Sequence, residues 1–496
     1  MQGAMANMKL ADDYRVNEAQ LYSQIDSLKG DEPVIVDFDE TLWLRNSTEA
    51  FLSNVSPSIW VAFWLQLLGL IRPWRWASPH NHDHVRDWIR VCVVVMVAPW
   101  SVWQWKRVAA TKAKDYLNRP LAEALKASNQ PVFVASYGFQ FVIQPMLDAL
   151  SVSWPLIVAS TLRSAPSLRR QGKGAAVAKQ LGLPAVQRGL SITDSKLDLD
   201  LLAMTRLSAL IRWPQAKYIQ AGRKPMLPFV YLKKVKRPTE SYFTRAILGH
   251  DYLLLLLVFS ATSSTPIASA ICLLLFVLSY FTAYEVGYYE NDRLGILHEA
   301  KPKVSKAFSE LGDNFVPIVA WIFAGLLAIP AAILATEVNG LRQSFVGGMP
   351  ANAMEVWLVF MGLLVAVRLV FAWFNRLPEM GRVVPMLILQ GARSAGYLLL
   401  FTTSLVGILF CLTQALSKWI PYVVYRFGGS RALVPNHLIN LLLLLSAVGL
   451  LSASGQVNGI WDHWHTWLLL GYSALRGVIE LRKFGVYLKP YSGSES

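Results

Sequence analysis

Asp37 and Asp39 stand two residues apart in Asp37-Phe-Asp-Glu-Thr41, directly after the apolar run Pro33-Val-Ile-Val36. Two carboxylates at this spacing can divide the work of phosphoryl transfer, one attacking phosphorus while the other handles the leaving-group proton. Ser136 closes a second run of the same character, Val132-Phe-Val-Ala135, and its hydroxyl can hold a phosphate oxygen. Lys173, in Gly172-Lys-Gly174, stands at a predicted helix start, where a cation joins exposed backbone N–H groups. Asp194 and Asp198 lie in Thr193-Asp-Ser-Lys-Leu-Asp198, again just after a strand-like run. Ser160, in Val158-Ala-Ser160, competes with Ser136 for the hydroxyl role, but its closeness to Lys173 reads as the end of the next strand.

The elements that must position these residues are short runs rich in β-branched residues at 33–38, 131–136, 155–159 and 190–193. Each is followed by helical pattern or turn residues, as parallel strands buried on both faces should be. The expectation over residues 1–215 is an α/β, Rossmann-like doubly wound sheet, which binds ligands at the carboxyl edge of its strands. In all four motifs, over about residues 31 to 215, the chain resembles the haloacid dehalogenase superfamily of phosphotransferases. The resemblance implies that Asp37 is the nucleophile forming an aspartyl-phosphate and that Asp39 is the general acid and base. It further implies that Ser136 and Lys173 hold the phosphoryl group. Asp194, the Asp37 carboxylate and the Asp39 carbonyl would bind Mg²⁺, supported by Asp198. The second carboxylate at position 39 favours a phosphatase over a dehalogenase.

Residues 46–130 form an insertion where that superfamily places a cap. It holds two apolar runs, 58–71 and 91–105, and eight of the chain's 18 tryptophans, a residue that favours the membrane interface. Because Asp37 and Asp194 must meet in one site, the insertion crosses the bilayer zero or two times, and a membrane-associated helical hairpin lying on the lipid is expected. His80, His82 and His84 with Asp83 lie between the runs and read as headgroup contacts rather than as a metal site.

Beyond this unit the composition changes. The whole chain is 54% hydrophobic with 16% charged residues, against roughly 25% charged in soluble domains. Long apolar runs from about residue 247, at about 20 residues per crossing, predict seven to nine transmembrane helices over 247–485. They follow a basic linker at 216–246 and precede a tail at 486–496. Basic clusters at Lys233 to Arg237, at Lys301, Lys303 and Lys306, at Arg376 and Arg382, and at Arg482 and Lys483 mark cytoplasmic loops. Acidic residues near the start and the lack of a cleavage signal are expected to keep the N-terminal unit in the cytoplasm of a bacterial-type plasma membrane. Three cysteines, all in apolar runs, exclude a disulfide framework. The net charge of +15 is explained by anionic lipid at these loops, which leaves nucleic-acid binding without support. A transporter lacks support as well, since neither repeat symmetry nor a midplane charge pair is visible.

After the second predicted span, Glu285, Asp292 and Glu299 are seven residues apart, so on a continuous helix they share one face near the membrane boundary. Such carboxylates are costly at membrane depth and usually functional. With Mg²⁺ they can hold a diphosphate while Lys301, Lys303, Arg376 and Arg382 neutralise the rest. Here the chain resembles the UbiA prenyltransferase superfamily. Asn291 and Asp292 match its first aspartate-rich motif, Glu299 substitutes one carboxylate for another, and Gly295 replaces a carboxylate. The region from Phe374 to Glu379 and the stretch Gln390-Gly-Ala-Arg393 resemble the second motif region without its carboxylate pair. The closest branch by this resemblance is that of the decaprenyl-phosphate phosphoribosyltransferases.

These resemblances lead to an expected bifunctional membrane enzyme. One unit transfers 5-phosphoribose from phosphoribosyl diphosphate to a polyprenyl phosphate, and the other removes the 5-phosphate from the lipid-linked product. Two alternatives stay open: prenylation of a small acceptor beside a fused phosphatase, and a phosphatase on an inactive lipid-binding scaffold. Expected partners are the lipid substrate, a phosphorylated sugar or diphosphate and membrane lipids, with the oligomeric state open.

Overall fold

The computed structural model describes residues 12–78, 83–150, 152–298, 302, 304–311, 314–338, 340–341, 352–455 and 459–484. By contact the chain divides into two compact units, Met1–Lys224 and Pro225–Ser496.

The N-terminal unit is built on five parallel strands: β1 (Val34–Val36), β2 (Val132–Phe139), β3 (Leu156–Ser160), β4 (Leu190–Thr193) and β5 (Leu207–Leu210). Their order in the sheet is β3-β2-β1-β4-β5. Val34 pairs with Val132 on one side and Leu190 on the other. All three residues of β1 are buried, which is why the strand is uninterrupted Val-Ile-Val rather than alternating. Four strands overlap the runs expected from sequence, and β2 continues past the expected end at Ser136 to Phe139. The fifth, Leu-Ser-Ala-Leu, has no β-branched residue, and its in-register pairing with β4 supplies what local propensity does not. The winding direction reverses between β1 and β4, so the crevice at their carboxyl ends is the place where a sheet of this kind holds a ligand.

The insertion folds as helices Ser47–Asn54, Ser58–Ile71, Trp74–Ala77, Asp83–Val97, Ser101–Asp115 and Arg119–Ala127. The apolar helix Ser58–Ile71 has 14 residues, about 21 Å at 1.5 Å per residue, short of the roughly 30 Å of a bilayer core. One side of the insertion enters the core of the unit through Val61, Leu65, Val91, Val94 and Trp105. The other leaves Leu70, Trp76 and Met96 more than 70% exposed. Of the expected histidine contacts, His80 and His82 lie outside the described residues.

The second unit is helical. Among the described residues six helices are long and apolar enough to cross a membrane: Phe243–Ser260, Pro266–Leu297, Pro317–Thr336, Ala353–Arg376, Leu405–Arg426 and Asn436–Ala453. The expectation of seven to nine fails at two places. The long run from 383 breaks into the 12-residue helix Val383–Ser394, a short turn at Gly396–Leu399 and the helix from Leu405. The last helix, Trp464–Phe484, is long enough, but its final turns carry Arg476, Glu480, Arg482 and Lys483.

The packing of this unit is that of membrane helices, with small residues inward and large apolar ones outward. Ala324, Ala328, Ala331, Ala332 and Ala335 are buried, whereas Ile318, Ile322, Leu326, Ile329 and Ile333 of the same helix are exposed. The alanine side lets the backbone come close enough for Ser279 Oγ to donate to the Ala324 carbonyl at 2.6 Å. At Gly287 a Cβ would fall 2.5 Å from the Phe371 ring, so this helix crossing requires glycine.

Residues within the basic linker at 216–246 pack against both units' own side chains. Tyr218 and the backbone N–H of Ala221 donate to the buried Glu49 within the N-terminal unit. Within the second unit, Phe229 and Leu232 donate their backbone N–H groups to Glu285.

Candidate active site and the membrane-unit carboxylates

The four sequence motifs converge at the carboxyl edge of β1, β2 and β4. Asp37 continues β1, its N–H donating to the Ile192 carbonyl at 2.9 Å. The chain then turns sharply: Leu42 and Trp43 donate their N–H groups back to the carbonyls of Asp37 and Phe38, and Glu40 takes a positive φ of 57°. A left-handed conformation in a non-glycine residue costs on the order of 1–3 kcal/mol and is held by its surroundings. The turn brings Asp39 back beside Ser136, whose hydroxyl donates to Asp39 Oδ2 at 3.2 Å.

Lys173 starts the helix Lys173–Leu181 and is 1% exposed. Its ammonium lies 2.7 Å from Asp198 Oδ2 and 3.1 Å from Asp37 Oδ1. The hydroxyl of Thr193 donates to Asp198 at 2.6 Å, and that of Thr41 donates to Asp194 at 3.2 Å. Gly138 completes the pocket: its N–H donates to Ser136 Oγ at 2.9 Å, and a Cβ there would sit 2.8 Å from Asp39 Oδ2. Ser160, the competing hydroxyl, ends β3 and donates to the Tyr137 carbonyl instead. All six expected residues, Asp37, Asp39, Ser136, Lys173, Asp194 and Asp198, line one cleft of about 130 Å³.

Six carboxylates line that cleft (Asp37, Asp39, Glu40, Asp87, Asp194 and Asp198), against two cations, Arg169 and Lys173. Burial drives the Asp37 carboxyl well above its ordinary range; Lys173 opposes this, and Asp198, Asp194 and Asp39 add repulsion. Burial likewise raises Asp39 against the hydrogen bonds from Ser47 and Ser136, and pushes Asp194 up to about 6. Glu40 rises to about 7, from burial and then from Asp194 and Asp39. Lys173 is the exception: burial acts to lower it, but Asp198 and Asp37 hold its ammonium above the usual lysine value. A buried group of oxygen anions with too little positive charge fits a hard divalent cation. Among the described residues no three His, Cys, Asp or Glu side chains form a ready cage for one. Asp37 and Asp194 with a main-chain carbonyl need only two side chains, so the residues present fit Mg²⁺.

The insertion contributes to this cleft as well. Asp87 of the insertion lines it together with Arg169 of the helix Ala165–Gln171; the two lie 3.8 Å apart, and neither was singled out from the sequence. Behind them Arg90 grips Glu49 through two hydrogen bonds of 2.5 and 2.9 Å, both side chains under 5% exposed.

The residues singled out in the second unit form separate groups. Glu285 and Asp292 do share a helix face, but each is occupied. Glu285 accepts the backbone N–H groups of Phe229 and Leu232 at 2.8 and 2.7 Å. Asp292 accepts the Tyr231 hydroxyl at 2.7 Å and the Lys236 ammonium at 2.5 Å. Arg376 lies 3.6 Å from Glu290 and is mostly exposed, while Arg382 donates to the Leu377 carbonyl and lies over the Phe374 ring. Asn291 is half-buried, and Glu299, Lys301 and Lys303 lie outside the described residues. Arg393 is paired with Asp251, which also accepts from Lys418 at 2.9 Å. Sequence reading missed both partners and saw no charge pair within the spans. The available signal was a lone charge in each apolar run.

Comparison of the chain with protein-family models, with curated proteins and with solved structures gives no match in any of the three.

Proposed function

We propose that the N-terminal unit is a Mg²⁺-dependent phosphomonoesterase carried on a membrane unit. The observation that supports this most is the meeting of Asp37, Asp39, Ser136, Lys173, Asp194 and Asp198 in one cleft at the carboxyl edge of the sheet. In this reading an Asp37 oxygen attacks phosphorus and the bond to the ester oxygen breaks. Asp39, whose raised affinity for its proton suits a general acid, protonates the departing alkoxide. Asp39 then takes a proton from the water that opens the aspartyl-phosphate, releasing phosphate and restoring Asp37. Lys173, already turned toward Asp37, and the Ser136 hydroxyl hold the phosphoryl oxygens. Bound Mg²⁺, held by Asp37, Asp194 and the Asp39 carbonyl, would offset the charge of nucleophile and phosphate so that the two anions can approach.

The resemblance of the second unit suggests the substrate: the 5-phosphate of a lipid-linked ribose, made in the same chain by transfer from phosphoribosyl diphosphate to a polyprenyl phosphate. A second reading, in which the membrane unit holds lipid without transferring a group, is favoured by the occupied state of Glu285 and Asp292. One experiment separates the two. Protein, Mg²⁺, polyprenyl phosphate and sugar-labelled phosphoribosyl diphosphate are incubated, and lipid extracts of the wild type and Asp37→Asn are compared by mass. A variant product heavier by one phosphate supports the coupled reading. Absence of label in lipid from both proteins removes it and leaves the phosphatase on a lipid-holding unit.

A further inference from the structure

The second unit contains a charged centre that the proposed phosphatase does not use. Asp251 comes from the span Phe243–Ser260, Arg393 from the penultimate position of the half-length helix Val383–Ser394, and Lys418 from the span Leu405–Arg426. Asp251 is 4% exposed; one of its oxygens takes the Arg393 guanidinium and the other the Lys418 ammonium.

We propose that Asp251, Arg393 and Lys418 form a seat for a phosphate anion, free or at the head of a lipid.

Charge balance is the first argument. Two cations share one carboxylate, and Arg476 stands within electrostatic range of Lys418 as a further positive charge. Buried charge persists where it is paired, so the centre is at least one negative charge short. The second argument is the inventory of donors. Arg393 Nε, the Tyr280 hydroxyl and both ring nitrogens of His250 are buried without a hydrogen-bond partner. Tyr280 and His250 each interact electrostatically with Asp251, so these unmet groups surround the same centre. A ligand rich in acceptors meets this need, and phosphate offers oxygens to the planar fork of an arginine.

Access is the third argument. The side chains of Lys418 and Arg393 are 20% and 11% exposed, against 4% for Asp251, so the two cations are the more accessible members of the triad. The helix that carries Arg393 has 12 residues, about 18 Å, and its chain turns before the next helix begins. A helix broken at membrane depth is tolerated where its end is enclosed by protein or lines a cavity, and such breaks carry ligand sites in membrane proteins. The seat is independent of the phosphatase reading, because occupancy is read without turnover.

The test uses the full chain in phosphate-free detergent solution, with a chelator present so that Mg²⁺-dependent binding in the N-terminal cleft does not contribute. Equilibrium binding and the melting-temperature shift are measured with polyprenyl phosphate and with inorganic phosphate, for the wild type, Lys418→Gln, Arg393→Gln and Asp251→Asn. Loss of one charge-assisted contact should weaken binding about 10-fold or more in Lys418→Gln and Arg393→Gln. Asp251→Asn removes the internal competitor, so it should bind at least as tightly as the wild type and gain more melting temperature from ligand. If inorganic phosphate competes on equal terms, the ligand is the free anion; if the lipid binds and inorganic phosphate does not displace it, the ligand is a lipid headgroup. Lys418 is the most exposed of the three, so its variant carries the test should Arg393→Gln fail to fold. The proposal is overturned if the wild type binds neither ligand or if Lys418→Gln binds like the wild type. A loss in Asp251→Asn as large as that in Lys418→Gln overturns it too, since a triad that only ties helices together behaves that way.

Discussion

Six carboxylates and two cations line the N-terminal cleft, whereas in the membrane unit one carboxylate is shared by two cations. The two centres thus carry unbalanced charge of opposite sign. An excess of carboxylate oxygen calls for a cation, and only with that cation in place can such a site receive a phosphate. An excess of guanidinium and ammonium receives the phosphate directly. The supporting structure differs in the same sense. The acidic cleft is assembled at the ends of strands, where a rigid sheet fixes four chain segments within one crevice. The basic centre is assembled from single residues of helices, one of them half-length.

The largest expected effect lies at the nucleophile. Asp37→Asn should lower phosphate release by about 10³-fold or more, read with a chromogenic phosphomonoester, while phosphate binding in the membrane unit stays unchanged. A parallel loss at both centres would erase the distinction between them. Removal of Mg²⁺ by a chelator should abolish turnover reversibly. Added Mg²⁺ should raise the melting temperature of the wild type more than that of Asp194→Asn, because only ligand bound to the native state stabilises it.

Smaller effects follow from packing. Glu49→Gln leaves the buried Arg90 with only Asp87, 3.3 Å away, as its counter-charge and should cost about 1–3 kcal/mol of stability, seen as a lower melting temperature of the N-terminal unit. Gly138→Ala forces a methyl group against Asp39 and Ile143. It should destabilise by about 1–3 kcal/mol and lower kcat more than it raises KM, since Asp39 is displaced while Lys173 is untouched. Unchanged kcat in this variant would detach Asp39 from the proton-transfer step.

What could be read from the sequence divides along the same line. Asp37, Asp39, Lys173, Asp194 and Asp198 stand shortly after a strand or at the start of a helix, and Ser136 lies in the second half of β2, so short local motifs reveal them, and parallel topology brings the motifs together. The supporting groups escaped notice for a physical reason. Thr41 acts through a hydroxyl whose partner, Asp194, depends on the turn at Glu40, Thr193 through one that reaches Asp198 only because the loop after β4 folds back, and Arg169 reaches the cleft from a helix with no motif of its own. In the membrane unit the helices themselves were visible as apolar runs, but the break after Ser394 was not, because the residues from Gly396 to Ser404 stay as apolar as their flanks. Asp251, Arg393 and Lys418 are far apart along the chain, and helix packing alone makes them neighbours. The lesson from Glu285 and Asp292 is the converse. Their heptad spacing did put both on one face, yet spacing carries no information about the segment 229–236 that takes up their oxygens.

Rapid acid quench of the enzyme during turnover of a radiolabelled phosphomonoester would trap a covalent bond between Asp37 and phosphorus. The expected result is a protein-bound label that hydroxylamine removes, that maps to the peptide containing Asp37, and that is absent from Asp37→Asn. Turnover without any protein-bound label, or a label on another residue that survives in Asp37→Asn, would contradict it.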